Sequence, residues 1–273
     1  RKSVRNRRRR VKGGALIDDF FDAIYNDDVA KVKEMLPEIV ANRQINTARK
    51  GTTPLHLSVL RNNEEIVRLL LDNGADPNVL NIGNLSPLFS CGNSKIARLL
   101  LDKRADPNSR DLFDNTPLHY IIQLGDVKLI KILIDNGADV NARNLNGDTP
   151  LFGYFENYNH SPEITKSVFE YMIKHGADVN LPGVSGRTCL HLVALYCPEF
   201  IPTLLEAGAD PNVIDHQNNT PLYINARSLE KTVESILTLY FAGNPAYIYT
   251  SNLAGDTPLA CLLNTEQYDI VVA

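Results

Sequence analysis

Residues 116–141 read TPLHYIIQLGDVKLIKILIDNGADVN, a segment bounded by two short motifs. The first motif, Thr116 to His119, has counterparts that begin at residues 53, 86, 149, 188, 220 and 257, with spacings along the chain of 33, 30, 33, 39, 32 and 37 residues. The second motif, Gly137 to Asn141, has counterparts that begin at residues 74, 104, 176 and 208, each 12 residues ahead of a first motif. Two motifs that keep phase near a 33-residue period indicate a repeat architecture.

The first motif has the chemistry of a helix start. In Thr116-Pro117 the hydroxyl can cap the helix, and proline suits the first helical position because its missing N–H has no partner there. Residues 129–134 place apolar side chains three and four positions apart, which predicts one buried helix face. Gly137 follows where a left-handed cap is needed. Each helix pair is too small to fold alone, so neighbouring pairs must stack.

This pattern resembles the ankyrin-repeat family over about residues 15–273. The resemblance implies an all-α fold with short β-hairpins, namely an ankyrin-repeat solenoid of about eight helix-turn-helix units. We expect the repeats, numbered one to eight, to start near residues 15, 48, 81, 111, 144, 183, 215 and 252, with the last one truncated. The chain starts at Arg1 and stops at Ala273 within a repeat, so we expect it to be part of a longer protein.

Two repeats depart from the common length. Repeat three is short by three residues, which predicts a clipped first helix near residues 91–93. It also carries Arg104 where other repeats have the cap glycine, and a left-handed site costs stability without glycine. Repeat five is six residues longer, and residues 156–162 accommodate the excess as a loop. Such insertions are either tolerated drift or part of a binding face.

The N-terminal segment differs from the rest in charge. Residues 1–12 hold eight Lys or Arg and no acid, whereas the other 261 residues hold 20 basic and 32 acidic ones, a net charge of −12. We expect residues 1–14 to be disordered, because they lack the apolar content needed to fold. The segment is a candidate nuclear localisation signal through Arg7, Arg8, Arg9, Arg10 and Lys12. A plain linker, a convertase cleavage site and a nucleic-acid contact are the alternatives, although an acidic solenoid repels DNA phosphate.

The residues with catalytic potential do not form a recognisable site. Three of the six histidines, His56, His119 and His191, occupy the same motif position in different repeats, which predicts rings bonded to the turn backbone. The four cysteines lack metal-ligand spacing, and no phosphate loop, nucleophile elbow or zinc-protease helix is present. We therefore expect no enzyme activity, cofactor, metal or small-molecule substrate. No membrane span or signal peptide is visible, and we expect the cytoplasm or the nucleus as location.

The resemblance implies that a partner protein binds the hairpin tips and the inner face of the first helices. Carried onto this chain, the candidate partner-binding residues are Arg49, Lys50, Ile82, Leu85, Leu112, Phe113, Asn115, Leu145, Asp148, Arg187 and His216. Five of them (Ile82, Leu85, Leu112, Phe113 and Leu145) are apolar, and contiguous exposed apolar surface marks interfaces. The alternative is that neighbouring hairpins pack together and hide them.

Two functions fit this surface. The first is an interaction scaffold or adaptor that delivers a partner protein to an effector. The second is a regulator whose ankyrin stack masks a nuclear localisation signal or a domain of the same chain, because a basic segment before an ankyrin stack is similar in layout to the Rel-family precursors and their IkappaB-like part. Ankyrin stacks bind unrelated targets with one frame, so the residues do not identify the partner.

Overall fold

The computed structural model of the chain describes residues 2–156, 161–183 and 185–264. The chain divides into two compact bodies, an N-terminal body of residues 1–139 and a C-terminal body of residues 140–273. Both consist of consecutive helix pairs, and the described residues contain 14 α-helices. The hairpins between pairs are turns, and across the described ranges the β-bridging is confined to one isolated antiparallel bridge, Arg49 to Thr52. The all-α class of repeated helix pairs is thereby confirmed.

The N-terminal body contains the first seven α-helices. They are α1 (Lys2–Tyr25), α2 (Val29–Ala41), α3 (Pro54–Leu60), α4 (Glu64–Asp72), α5 (Ser94–Asp102), α6 (Pro117–Ile121) and α7 (Val127–Asp135). Two 3₁₀ turns, Pro87–Ser90 and Ile122–Leu124, complete the pairs of repeats three and four. Leu55, Leu88 and Leu118, the third residues of their motifs, are fully buried.

The C-terminal body contains the other seven α-helices. They are α8 (Pro150–Glu156), α9 (Pro162–Lys174), α10 (Cys189–Tyr196), α11 (Ile201–Glu206), α12 (Pro221–Arg227), α13 (Val233–Ala242) and α14 (Pro258–Asn264). Its 3₁₀ turns are Pro198–Phe200 and Pro245–Ile248. Most of the predicted insertion in repeat five, residues 157–160, lies outside the described residues, as do Val184 and residues 265–273.

The helix starts have the predicted capping chemistry. Thr53 precedes α3 in extended conformation, its hydroxyl accepts the backbone N–H of His56, and Pro54 is the first helical residue. Thr220 does the same for α12 by accepting the N–H of Tyr223 at 3.2 Å. These bonds satisfy N–H groups that every helix start leaves without a helical partner.

The histidines of this motif join successive hairpins. Nε2 of His56 donates to the carbonyl of Leu85 in the next repeat at 2.8 Å, and Nε2 of His191 donates to the carbonyl of Asn219 at 3.0 Å. Burial lowers the pKa of both rings, so both stay neutral and keep the tautomer that these bonds need.

Asparagines of the second motif tie each repeat to the next. The Asn108 amide donates to the Gly137 carbonyl at 2.8 Å and accepts the N–H of Asp139 at 2.7 Å. In the C-terminal body, Asn180 makes the same two bonds, to Gly208 and Asp210. The motif therefore contributes to the stacking between repeats as well as to its own turn.

Repeat three is clipped as its spacing predicts. Its first helix is reduced to the 3₁₀ turn Pro87–Ser90, and α5 begins four residues later. Arg104 adopts a left-handed φ of 66° at the cap position. An arginine there has a Cβ that strains this conformation, whereas glycine does not.

The basic segment, for which the sequence predicts disorder, is the start of a helix in the structure. Helix α1 begins at Lys2 and continues without interruption to Tyr25. Arginine and lysine are good helix formers and no proline interrupts the run, so the segment can extend the packed helix that follows. Burial along α1 starts at Ile17, and the side chains of residues 1–13 lie outside the described part of the structure.

Candidate protein-binding surface

The hairpin tips of the N-terminal body expose large apolar side chains. Ile82 is 75% exposed, Leu112 64% and Phe113 66%, whereas Leu85 is partly buried. Neighbouring hairpins therefore do not hide the first three. Exposed aromatic and aliphatic side chains of this size are typical anchors of protein interfaces.

The repeat-four finger, which we define as residues 111–115, is held by one carboxylate. Oδ1 of Asp111 accepts the backbone N–H groups of Phe113 and Asn115, each at 2.8 Å. Its Oδ2 accepts the Asn115 amide at 3.2 Å. Burial alone would raise the pKa of Asp111, but these bonds and one from Tyr120 hold it below the usual value. Asp111, Asn115 and the backbone that they hold form the hydrogen-bonded frame of the finger. Leu112 and Phe113 are the side chains that this frame presents to solvent.

Tyr120 on α6 links this finger to the inner face of the helices. Its hydroxyl donates to Oδ2 of Asp111 at 2.6 Å, and its ring meets Phe89 of repeat three edge to face, with centroids 5.6 Å apart. Burial, and then the bond to Asp111, raises the pKa of the Tyr120 hydroxyl. The tyrosine therefore stays protonated and remains a donor at neutral pH.

A groove opens beside Tyr120 where repeat three is clipped. It has a volume of about 310 Å³ and is lined by residues 89–92, Tyr120, Ile121 and Leu124. We call it the repeat-three groove. The sequence prediction did not include it; the signal that could have revealed it is the 30-residue spacing, because a repeat that lacks a helical turn leaves space between its neighbours.

Ile82 lies over the preceding hairpin. Its N–H donates to the carbonyl of Gly51 at 3.1 Å. Gly51 has a φ of +80°, and a Cβ there would overlap the Ile82 side chain. Glycine is thus required both by the backbone and by the close approach of Ile82.

The basic residues of the first hairpin are differently placed. Nε of Arg49 pairs with Asp18 and its Nη1 with Asp22, each at 2.9 Å. Lys50 at the turn is exposed. Arg49 is therefore held by ion pairs to α1. Lys50, the other predicted contact residue of this hairpin, has an exposed side chain.

In the C-terminal body the repeat-five hairpin exposes Leu145 and encloses Asp148. Leu145 is 67% exposed and Asp148 is 9% exposed. A Cβ on Gly183 would overlap the Asp148 carboxylate, so the next hairpin covers that side chain. This corrects the placement of Asp148 at an exposed tip: it is the last residue of its turn and points into the stack.

Two predicted contact residues lie at the repeat-seven finger, which we define as residues 215–219. His216 is part of it, and Arg187 bonds to it. Nε of Arg187 donates to Oδ2 of Asp215 at 3.2 Å, so this partly buried arginine already has a partner within the chain. His216 is exposed, and its N–H donates to the carbonyl of Ser185 at 2.9 Å. Of this pair, His216 is the one presented to solvent.

The basic residues proposed for nuclear import, Arg7 to Arg10 and Lys12, belong to the first half of α1. Their side chains are outside the described part, so the structure describes only their backbone. They remain a sequence-based prediction.

The cysteine and histidine residues form no evident reactive centre in the described ranges. No group of three or more His, Cys, Asp or Glu side chains there could hold a metal ion. Cys91, Cys189 and Cys197 are buried free thiols, and burial raises the pKa of Cys91 to about 11. Buried thiols of this kind behave as small hydrophobic residues. None of the described helices combines the length and apolar character needed to cross a bilayer.

Comparisons with known proteins agree with this architecture. A sequence model described as ankyrin repeats (3 copies) matches residues 20–111, 88–180 and 118–215. An ankyrin repeat protein of fowlpox virus is 32% identical over 203 residues, which cover 72% of this chain and 35% of that protein. A fem-1 homolog of Drosophila melanogaster is 38% identical over 68 residues, 25% of this chain and 10% of its own length. The chain thus spans about a third of the fowlpox relative.

Among solved structures, the ankyrin repeat domain of Bcl-3, a member of the IkappaB protein family, superimposes with a TM-score of 0.66. The match covers 82% of this chain and 100% of that domain at 24% sequence identity. At this identity the likeness concerns the fold.

Proposed function

The chain belongs to the ankyrin-repeat family, whose repeats are protein-interaction modules, and from this premise we propose that it is a scaffold or adaptor that binds a partner protein. The partner contacts the hairpin tips and the inner face of the first helices in the N-terminal body. We assign the chain no catalytic step and no cofactor.

The observation that supports this proposal is the exposure of Ile82, Leu112 and Phe113 on a hydrogen-bonded frame. Holding such side chains in water costs free energy, roughly 25 cal/mol per Å² of apolar area that could be buried instead. The bonds at Asp111 fix the backbone beneath Leu112 and Phe113, so little conformational entropy is lost when a partner covers them.

A regulatory function, in which the stack masks a signal or a domain of the same chain, is the second candidate. It is favoured by the charge division: residues 1–12 are strongly basic and the remainder has a net charge of −12. Single surface ion pairs contribute little, but a cluster of them contributes more. With buried free cysteines, either function suits the cytoplasm or nucleus, where thiols stay reduced.

The experiment that tests the scaffold function compares three baits in a pull-down from cell lysate. They are the full chain, the double variant Ile82→Ser/Phe113→Ser, and a matched control, His216→Ser/Gln217→Ser, which alters the repeat-seven finger. We expect a partner that the full chain and the control retain and that the first variant loses, with equal melting temperatures for all three. Retention of the same partners by both variants would contradict the proposal.

A further inference from the structure

Tyr120 connects the repeat-three groove to the repeat-four finger. Tyr120 presents its ring to the groove and its hydroxyl to Asp111, which in turn holds the N–H of Phe113. We propose that the groove receives an apolar side chain from the same partner segment that covers Leu112 and Phe113, and that Tyr120 is the positioning residue that couples the two places. This inference rests on the proposed function and specifies its partner.

The lining of the groove indicates the chemistry of that segment. Its lining combines the buried Phe89, Cys91 and Ile121 with the half-exposed Tyr120 and Leu124, and the exposed Ser90 and Gly92 complete it. No lining residue carries a charge. A charged side chain placed there would lose its water without gaining a counter-ion, which costs several kcal/mol. An aromatic or large aliphatic side chain would bury apolar area at no such cost.

Three charged side chains that flank this surface in the sequence are engaged within the chain. Asp111 is buried and accepts four hydrogen bonds. Nη1 of Arg110 donates to the carbonyl of Asp114, and Arg61, which follows α3, pairs with Asp27 at 2.7 Å. Charge complementarity therefore favours an uncharged partner segment over a basic or an acidic one.

The size of the groove fits a side chain and not a domain. A volume of about 310 Å³ lies at the lower end of the range for ligand pockets, roughly 300–1,000 Å³. One or two apolar side chains fill such a space. The predicted partner is a short segment with one apolar anchor in the groove and further apolar contacts to the finger.

A random peptide library displayed on phage tests the inference with the full chain as bait. We expect enriched peptides to carry an aromatic or large aliphatic anchor without excess charge. A synthetic enriched peptide should bind about tenfold more weakly to Leu124→Ser and to Phe113→Ser, since an anchor residue contributes more than about 1 kcal/mol. The control is Leu229→Ser, a leucine of the C-terminal body that is 97% exposed, which should leave the dissociation constant unchanged.

The role of Tyr120 is tested by a double-mutant cycle. The losses caused by Leu124→Ser and Phe113→Ser should be non-additive in the parent chain and additive in Tyr120→Phe, which keeps the ring and removes the hydroxyl. Additive losses in the parent, enrichment of charged peptides, or no enrichment at all would overturn the inference. If the lysate partner is lost on Ile82→Ser/Phe113→Ser but kept on Leu124→Ser, the proposed function stands and the groove has no part in it.

Discussion

The repeat-four finger and the repeat-seven finger are built on the same frame and end in different side chains. Asp111 and Asp215 each accept the backbone N–H groups two and four residues ahead, at 2.8–2.9 Å, and each bonds the amide of the asparagine that closes the turn. Asp114 and Asn218 take the same left-handed φ, 59° and 60°. The tips are Leu112-Phe113 in one finger and His216-Gln217 in the other.

The two fingers also differ in the partner of the second carboxylate oxygen, Oδ2, of Asp111 and Asp215. Oδ2 of Asp111 is bonded to the neutral hydroxyl of Tyr120, and Oδ2 of Asp215 to the charged guanidinium of Arg187. Since a polar tip satisfies the same backbone geometry, folding does not require Leu112 and Phe113. The hydrogen-bonded frame therefore serves stability, and the apolar tip serves an interaction outside the chain.

Removal of the frame carboxylates should have the largest effect. Asp215→Ala removes a buried carboxylate and leaves the partly buried Arg187 and two N–H groups without their acceptor, which should lower the free energy of unfolding by about 3 kcal/mol. Asp111→Ala removes bonds from neutral donors only, and about 2 kcal/mol is expected. The chain contains no tryptophan, so urea unfolding is followed by far-UV circular dichroism. Equal losses for the two variants would show that the ion pair adds nothing to the frame.

Acid should weaken both frames through the same carboxylates. Burial alone would raise the pKa of Asp215, but hydrogen bonds from Asn219, Gln217 and Arg187 hold it below the usual value, as at Asp111. A carboxyl whose pKa is lower in the folded state contributes stability above its unfolded pKa, about 3.9. That contribution is lost as the pH falls through the folded pKa.

The corresponding measurement is urea unfolding at pH 6, 4, 3 and 2 for the parent, Asp111→Asn and Asp215→Asn. Asparagine does not titrate, so each variant should lose less stability on acidification than the parent does. Parallel curves for the parent and a variant would show that its carboxyl has the same pKa folded and unfolded.

The periodic motifs were sufficient to predict the repeats, the helix starts and the clipped helix of repeat three, because each depends on residues close together in sequence. The exposure and the contacts of individual hairpin side chains were harder to predict. Asp148 and Leu145 lie three residues apart, yet one is enclosed and the other exposed. Arg187 and Asp215 meet across 28 residues, and Gly183 of the next hairpin lies against the Asp148 carboxylate. Such contacts follow from stacking, which a single-repeat pattern does not contain.

Exchange of the tips should have the smallest effect on stability and is the most direct test of the comparison. Leu112→His/Phe113→Gln places the repeat-seven tip on the repeat-four frame, and His216→Leu/Gln217→Phe does the reverse. Because all four side chains are exposed and the frames are unchanged, the free energy of unfolding should change by less than about 0.5 kcal/mol in either variant.

Binding should respond asymmetrically: the first exchange removes the anchors beside Tyr120 and the groove, so the peptide selected on the parent chain is lost. The reverse exchange adds apolar side chains beside Arg187, where the described residues provide no equivalent of the Tyr120–Phe89 contact, so that peptide should bind as it does to the parent. A large loss of stability from the first exchange would mean that Leu112 and Phe113 serve the fold after all, and the distinction between frame and tip would fail.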